Sequence, residues 1–463
     1  MLSFLIKGVF RDRHRYLFPL LIVSSGVLIM VFMLALINGY MDSFIRQNAG
    51  FDTGHLKVVT AAYSRLLSQK PYDLGLLDIQ DELATWKAAY PQLDWVERIH
   101  FGALLDVPDN LGQTREQGEV VAFGIDLLSS GRERKLMHLD QALVSGRIPS
   151  QSSEILLTDS AFRRLALKLG DPVTLIGSDV FGSMTFRQFR VTGSVRFGVE
   201  ALDRGAVIVD LADARGMLDM EGGAGEILAF FRNGSYDQKA AEQIRDDFNR
   251  RFGDMETASS GGTQTGKSAI WEEETASSGG TQTGKSAIQS ESSAIRDEYA
   301  PVMLAMSDQN NMGYMLGMMQ YLLAIFSLVF IFILGIVLWN SGLMNGIRRY
   351  GEIGVRLAIG ESKTQIYRSL LIEAGAIGFA GSVLGILLGL LLSAYFNLKG
   401  MDVSVFSRNS SLLSEDIIYT SVSLKTALSA LIPGMLSTLL GAALAGMAVF
   451  KRQTSQLFKE LET

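Results

Sequence analysis

The sequence contains no cysteine among its 463 residues. A disulfide framework and a metal site with thiolate ligands are therefore excluded. Histidine is scarce as well: His14, His55, His100 and His138 are scattered, which favours surface or core positions over metal ligation. The net charge is −6, and no basic face is available for nucleic acid. We expect no bound cofactor and no nucleic-acid partner.

Apolar residues are abundant, at 48% of the chain, and 19% of the residues are charged. This balance indicates a few membrane spans together with a large soluble domain. A helix needs roughly 20 apolar residues to cross the hydrocarbon core. Runs of this kind predict spans at 17–40, 312–343, 373–396 and 425–450.

The first apolar run, Leu17 to Ile37, could instead belong to a secretory signal peptide. The apolar core of a signal peptide has about 7–15 residues and precedes a small-residue cleavage site. This run is longer and leads into Asn38-Gly39-Tyr40 without such a site. We interpret it as an uncleaved span, preceded at 1–16 by a basic amphipathic helix at the cytoplasmic membrane face.

Residues 41–311 contain no run long enough to span, and they predict a large extracytoplasmic α+β domain between the first and second spans. Helices are expected at 78–89, with Asp78 as the N-cap, and at 160–169, ended by Gly170. The predicted fold class is thus a membrane α-helical protein with four transmembrane helices and this inserted domain. Strands are predicted at 56–59, 120–125, 154–157, 172–176, 186–195 and 206–209.

The unit ETASSGGTQTGKSAI occurs twice, at 256–270 and 274–288. Its Ser, Thr and Gly content predicts a flexible duplicated insertion at 256–288. Both copies match the phosphate-binding pattern G-x-x-x-x-G-K-S. Neither follows a buried strand, and no apolar strand ending in Asp comes after, so we do not predict a nucleotide site.

The connection between the second and third spans, residues 344–372, is basic. It carries Arg348, Arg349, Arg356, Lys363 and Arg368. Positive residues are enriched in cytoplasmic loops, so this loop, the N-terminus and the tail at 451–463 are predicted to be cytoplasmic. The loop at 397–424 then lies outside.

This connection also has a helical pattern. Ile353 and Leu357 lie one turn apart with charges between them, which predicts an amphipathic helix along the membrane surface. Gly360 can end that helix, and Ser362 can cap a new one that continues into the third span.

The motif at 352–356, EIGVR, is followed by Ala358-Ile359-Gly360 and later by Glu373-Ala374. It resembles the signature of the FtsX/MacB/LolC-LolE family of ABC-transporter permeases. The segments 146–149, 154–157 and 169–175 are similar to the periplasmic core domain of MacB-like permeases. In this family the connection is a coupling helix that docks on an ATPase.

The resemblance implies an ATPase-coupling role for four residues. Glu352 and Arg356 would make polar contacts with the ATPase, Gly354 would allow close approach, and Gly360 would set the turn. The family works by mechanotransmission, in which an ATPase dimer moves the coupling helix and thereby the outer domain.

Two further patterns concern the spans. Met312, Met315 and Met318 predict an adaptable apolar surface that could face cargo, with ordinary helix packing as the alternative. Gly381, Gly385 and Gly389 form a small-residue ridge that lets a second helix approach closely. A similar ridge is expected to begin at 313 and 317.

No span carries an ionisable residue at its centre, which argues against ion-coupled transport.

The family resemblance implies a non-enzymatic permease of the inner membrane. Its partners would be a separate ATPase dimer and a second permease chain, identical or sister. Lipoprotein release is the expected function. The alternatives are an FtsX-like regulatory permease and MacB-like export of peptides or small amphiphiles.

Overall fold

The computed structural model of the chain describes residues 13–109, 111–129, 131–253, 298–348, 355–402, 417–421 and 424–450. The duplicated insertion and the tail lie outside the described residues, as do 1–12 of the predicted N-terminal helix and most of the loop at 397–424. The chain divides into two compact units. One comprises Met1–Ile45, Met315–Ser410 and Glu415–Thr463, and the other comprises Arg46–Tyr314 and Ser411–Ser414.

Among the described residues, four helices are long and apolar enough to cross a membrane. Membrane helix 1 spans Arg13–Asn48, membrane helix 2 Met312–Arg348, membrane helix 3 Lys363–Lys399 and membrane helix 4 Leu431–Phe450. Each is built on one of the apolar runs found in the sequence.

Membrane helix 4 is preceded by a short helix, Leu424–Ser429, and the two are separated at Ala430. The sequence suggested a kink at Pro433. The interruption lies three residues earlier because proline lacks an N–H donor and its ring opposes the carbonyl group of residue i−4, which here is Ser429.

The second unit is built on a ten-stranded sheet. Its strands, in chain order, are β1 Leu56–Thr60, β2 Leu93–Pro108, β3 Thr114–Ile125, β4 Leu143–Gly146, β5 Glu154–Thr158, β6 Pro172–Ser178, β7 Met184–Val195, β8 Ala206–Asp210, β9 Glu226–Phe231 and β10 Pro301–Ala305.

The strand order is β10-β1-β9-β2-β3-β8-β5-β7-β4, and β6 pairs with both β2 and β7. The pairs β3–β8 and β5–β7 are parallel, and the other pairs are antiparallel. The first strand after membrane helix 1 and the last strand before membrane helix 2 are therefore direct neighbours, with Leu56 opposite Ala305. Outside this sheet, Met401–Asp402 pairs with Ile417–Ile418.

The helices of this unit are α1 Ala61–Arg65, α2 Gln80–Ala89, α3 Arg132–Leu136, α4 Leu139–Ala142, α5 Asp159–Arg164, α6 Glu200–Asp203, α7 Leu211–Leu218 and α8 Gln238–Phe252. One core lies where α2 and α8 meet the sheet. Its centre is Trp86, which is buried and packs edge-on against Phe248 at 5.2 Å between ring centroids. A second core contains α7 and the inner residues of β2, β5 and β7.

All six predicted strands are present, but two helix predictions require correction. Asp78 is not an N-cap: its backbone is left-handed, with φ +49°, and α2 begins after Ile79. The helix predicted at 160–169 ends at Arg164, because Ala166 takes φ +47°, before Gly170 is reached.

Candidate functional site

The connection between membrane helices 2 and 3 is described from Val355 onward. Glu352 and Gly354, two of the residues predicted to couple to an ATPase, lie outside the described residues. Residues 355–358 form a helical turn that contains the other polar candidate, Arg356.

The helical turn ends in a Schellman motif built around Gly360. The amide of Gly360 donates to the Leu357 carbonyl at 3.1 Å, and the amide of Glu361 donates to the Arg356 carbonyl at 3.1 Å. This pattern needs a left-handed residue after the helix, and Gly360 has φ +98°. The sequence prediction that Gly360 ends the helix is confirmed.

Membrane helix 3 begins two residues later at a capping box. The Ser362 hydroxyl accepts from the Gln365 amide at 3.3 Å, and the Gln365 side chain accepts from the Ser362 amide at 3.1 Å. The backbone N–H groups of Ser362 and Gln365, which have no partner within the helix, are thereby hydrogen-bonded. The predicted Ser362 cap is confirmed, and the path of the chain from 355 to 365 is determined by local hydrogen bonds.

The helical turn exposes apolar rather than polar surface. Val355 is 59% exposed and Ile359 is 79% exposed, and the two are four residues apart on one helical face. The predicted apolar pair is Ile353 and Leu357; Leu357 is partly buried, and Ile353 lies outside the described residues. The i, i+4 spacing of Val355 and Ile359 was the signal that could have identified this pair.

The predicted glycine ridge on membrane helix 3 is a close-packing surface. A Cβ atom at Gly385 would lie 2.6 Å from the Ser24 carbonyl oxygen, and one at Gly389 would lie 2.9 Å from the Val31 Cβ. A Cβ atom at Gly381 would meet Val23 in the same way. Membrane helices 1 and 3 therefore approach each other as closely as the absence of side chains allows.

Membrane helix 2 is less buried than the other membrane helices. Only 11% of its apolar 18-residue stretch is buried within the chain, against 33% to 44% for the corresponding stretches of the other three. The expected ridge at 313 and 317 is wrong: a Cβ atom at Gly317 would meet nothing within 4 Å, and one at Gly313 would meet Ser307 rather than a second helix. The outward surface consists of aromatic and aliphatic side chains, among them Tyr321, Leu322, Ile325, Leu328 and Phe332.

The three methionines at the start of membrane helix 2 separate into two groups. Met315 is 38% exposed and Met318 is 42% exposed, in keeping with a surface that could contact cargo. Met312 is only 3% exposed, so its side chain serves packing and does not present a cargo-facing surface.

Comparison with known proteins finds relatives for part of the chain. The FtsX-like permease C-terminal family matches residues 324–454, a range that contains most of membrane helix 2, the connection and membrane helices 3 and 4. The macrolide export ATP-binding/permease protein MacB of Mannheimia succiniciproducens is 37% identical over 92 residues, covering 20% of this chain and 14% of that protein. The MacB of Bradyrhizobium diazoefficiens is 35% identical over 88 residues, covering 19% and 14%.

The matched segments are short. They cover about one seventh of the length of each of these two MacB proteins. Among solved structures, the periplasmic region of MacB from Actinobacillus actinomycetemcomitans is 14% identical with a TM-score of 0.31, covering 45% of this chain and 89% of that one. By these matches the chain is similar to the FtsX/MacB type of ABC-transporter permeases.

Proposed function

We propose that this chain is the membrane subunit of an ABC transporter that works by mechanotransmission. The observation that carries the proposal is the fixed, exposed turn at 355–361. Its backbone is set by the Gly360 Schellman motif, and it presents Val355 and Ile359 beside Arg356. Exposed apolar residues on a rigid turn fit a partner groove, and a rigid turn transmits a push to the helix that follows it.

The proposal assigns ATP hydrolysis to a separate ATPase dimer on the cytoplasmic side, together with a second permease chain, identical or sister. It places the N- and C-termini in the cytoplasm and the ten-stranded domain outside. The distribution of positive residues among the loops supports this orientation. Glu352 and Gly354 keep their proposed coupling roles on the basis of the family motif.

We propose lipoprotein release from the inner membrane as the transport process. The support comes from membrane helix 2, whose apolar side chains, including Met315 and Met318, are exposed along much of its length. A flexible thioether surface suits acyl chains that vary in shape.

A second candidate is export of a small amphiphile. The sequence relatives are named as macrolide export proteins, and this naming favours the second candidate. In a third, FtsX-like case, the chain passes the ATPase state to an extracytoplasmic partner and moves no cargo.

Mass spectrometry of what co-purifies with the chain from native membranes in mild detergent separates these candidates. An ATPase together with acylated proteins is the result expected for lipoprotein release. An ATPase with an unlipidated outer protein would instead support the regulatory function, and an ATPase with a small amphiphile would support export. Recovery without any ATPase would contradict the proposal as a whole.

The turn itself is tested by Gly360→Pro, because proline fixes φ near −65° and cannot adopt the observed +98°. We expect normal membrane insertion and at least a tenfold loss of transport per ATP hydrolysed. Gly360→Asn is the matched control, since asparagine tolerates the left-handed region at a helix end, and it should retain most coupling. The Glu352→Lys variant should resemble the proline variant, and normal transport in both would remove this segment from the mechanism.

A further inference from the structure

A cluster of ionised side chains is buried inside the sheet unit, close to the points where membrane helix 1 ends and membrane helix 2 begins. Arg98 on β2 and Glu133 on α3 are fully buried and form a two-pronged ion pair, with Nε–Oε1 at 2.7 Å and Nη2–Oε2 at 2.6 Å. Lys57 on β1 and Glu226 on β9 form a second buried pair, with Nζ–Oε2 at 2.8 Å.

The cluster is balanced in charge. Lys70 and Asp52 complete it, with the Lys70 ammonium 2.6 Å from Asp52 Oδ1, so three positive groups face three negative ones. Burial by itself would raise the pKa of Glu226, but the Lys57 and Lys70 ammonium groups outweigh it and hold that pKa well below its ordinary value. These six residues, of which four are buried and Lys70 and Asp52 are partly buried, are called the buried charge cluster below.

A buried ion pair seldom stabilises a fold more than apolar side chains of the same volume would, because both ions lose their hydration. It does fix geometry, since each partner must stay where its counter-charge is. The position of the cluster therefore matters more than its contribution to stability.

The cluster forms hydrogen bonds with the segment that follows membrane helix 1. Ala49–Thr53 form a π-helical turn directly after that helix. The Arg98 guanidinium donates to the Gly50 carbonyl at 2.7 Å and to the Phe51 carbonyl at 3.1 Å. Asp52 from the same turn accepts from Lys70.

The same turn is joined to the segment that precedes membrane helix 2. The Asn310 side chain donates to Asp52 Oδ2 at 2.8 Å, and the Gln309 side chain donates to the Thr53 carbonyl at 3.2 Å. The Met312 amide, the first of membrane helix 2, donates to the Gln309 carbonyl at 2.8 Å. A continuous chain of polar contacts thus runs from β2 through the π-helical turn to Met312.

We infer that the buried charge cluster is a joint that locks the end of membrane helix 1 and the start of membrane helix 2 together on the sheet, so that the two segments move as one with the domain. The inference rests on the proposed function, because a mechanotransmission permease needs a stiff connection at this point. Arg98, Glu133 and Asp52 act here as positioning residues.

The test replaces the fully buried pair in the full-length chain by Arg98→Met with Glu133→Leu, which removes both charges and leaves neither unpaired. The matched control is Arg134→Met with Asp140→Leu, which removes a solvent-exposed pair of the same type from the same region. Amide hydrogen exchange is measured in detergent on peptides covering 49–54, 309–312 and, as an internal reference, β8 at 206–210.

A joint predicts that exchange rises at least tenfold in both junction peptides of the buried-pair variant, although Arg98 touches only the first of them. The reference peptide and the control variant should be unchanged. Unchanged exchange at 309–312 in the folded variant, or an equal rise in all three peptides, would overturn the inference, because the pair would then be a local or general stabiliser only.

Asn310→Gly provides a milder variant if the buried-pair variant does not fold. Asn310 is exposed and has φ +48°, which glycine adopts freely, so only the side-chain bond to Asp52 is lost. Exchange at 309–312 should rise at least threefold, and no rise would overturn the link. Because exchange is measured without ATPase or cargo, failure of the proposed function appears separately, as absence of ATP-driven transport by the unmodified chain.

Discussion

At the scale of single residues, His55 has an environment that depends on pH. The rings of Phe230, Phe231 and Tyr236 surround it, with centroids 5.4 to 5.6 Å away. Its Nδ1 accepts from the Phe231 amide at 3.0 Å and must be unprotonated to do so. Burial lowers the pKa of His55 to about 4.

This environment predicts a loss of stability in mild acid. The unfolded histidine takes up a proton near pH 6.5 and the folded one only near pH 4, so its contribution is complete above pH 6.5 and declines as the pH falls between these values. His55 alone accounts for a loss of about 2 kcal/mol at pH 5 relative to pH 7.5, or roughly 4–8 °C in the unfolding midpoint. Thermal unfolding of the full chain, followed by tryptophan fluorescence, measures it.

The control is His55→Phe, which keeps an aromatic ring and removes the titration. Its midpoint should be lower at neutral pH, because the Phe231 amide loses its acceptor, but it should depend less on pH. Burial lowers the pKa of His100 to about 4 as well, so some pH dependence should remain. A variant with the same pH dependence as the unmodified chain would contradict the assignment to His55.

At the scale of secondary-structure elements, the glycine ridge makes a quantitative prediction. Gly385→Ala places a methyl group 2.6 Å from the Ser24 carbonyl oxygen and 2.8 Å from the Val27 Cβ, so membrane helices 1 and 3 must separate. Overpacking of this kind costs about 1–3 kcal/mol. We expect a lower thermal midpoint of the membrane unit in detergent.

Gly317→Ala is the matched control on membrane helix 2, where the added methyl group meets nothing within 4 Å. Alanine is the better helix former, so this variant should be neutral or slightly more stable. Equal destabilisation by both substitutions would show that the ridge is not a packing surface.

Elements specified by local chemistry were predictable from the sequence. The turn at Gly360 and the cap at Ser362 depend on residues within one turn of each other, and the apolar runs of the spans need only be counted. Asp78 was misassigned because its left-handed backbone is imposed by its surroundings, with the neighbouring amide of Ile79 donating to the Gly222 carbonyl at 3.2 Å.

Features that depend on distant contacts could not be predicted. The charges of Lys57 and Glu226 give no indication in the sequence that they pair, since 169 residues separate them. Within the candidate site, the exposure of Val355 and Ile359 depends on how the helical turn is packed, which their i, i+4 spacing alone does not determine.

At the scale of the whole molecule, the proposed orientation can be measured directly, since the chain contains no cysteine to give background labelling. Leu111, in the turn between β2 and β3, and Ile359 are the positions of choice because both are strongly exposed. In intact spheroplasts a membrane-impermeant maleimide should label Leu111→Cys and leave Ile359→Cys unmodified.

Permeabilisation should then make Ile359→Cys reactive to the same extent as Leu111→Cys. Labelling of Ile359→Cys before permeabilisation would contradict the assignment of the connection to the cytoplasmic side. It would also exclude an ATPase partner at this turn.

The pairing of β1 with β9 and β10 has a consequence for how the protein is made. β1 is the first strand to follow membrane helix 1, yet its hydrogen-bonding partners are the last two strands of the domain. During synthesis one edge of β1 stays unpaired until residues 226–231 have been made and the other until residues 301–305 have been made, and open edges of this kind are prone to aggregation. The first strand of the sheet to be made is therefore among the last to be enclosed.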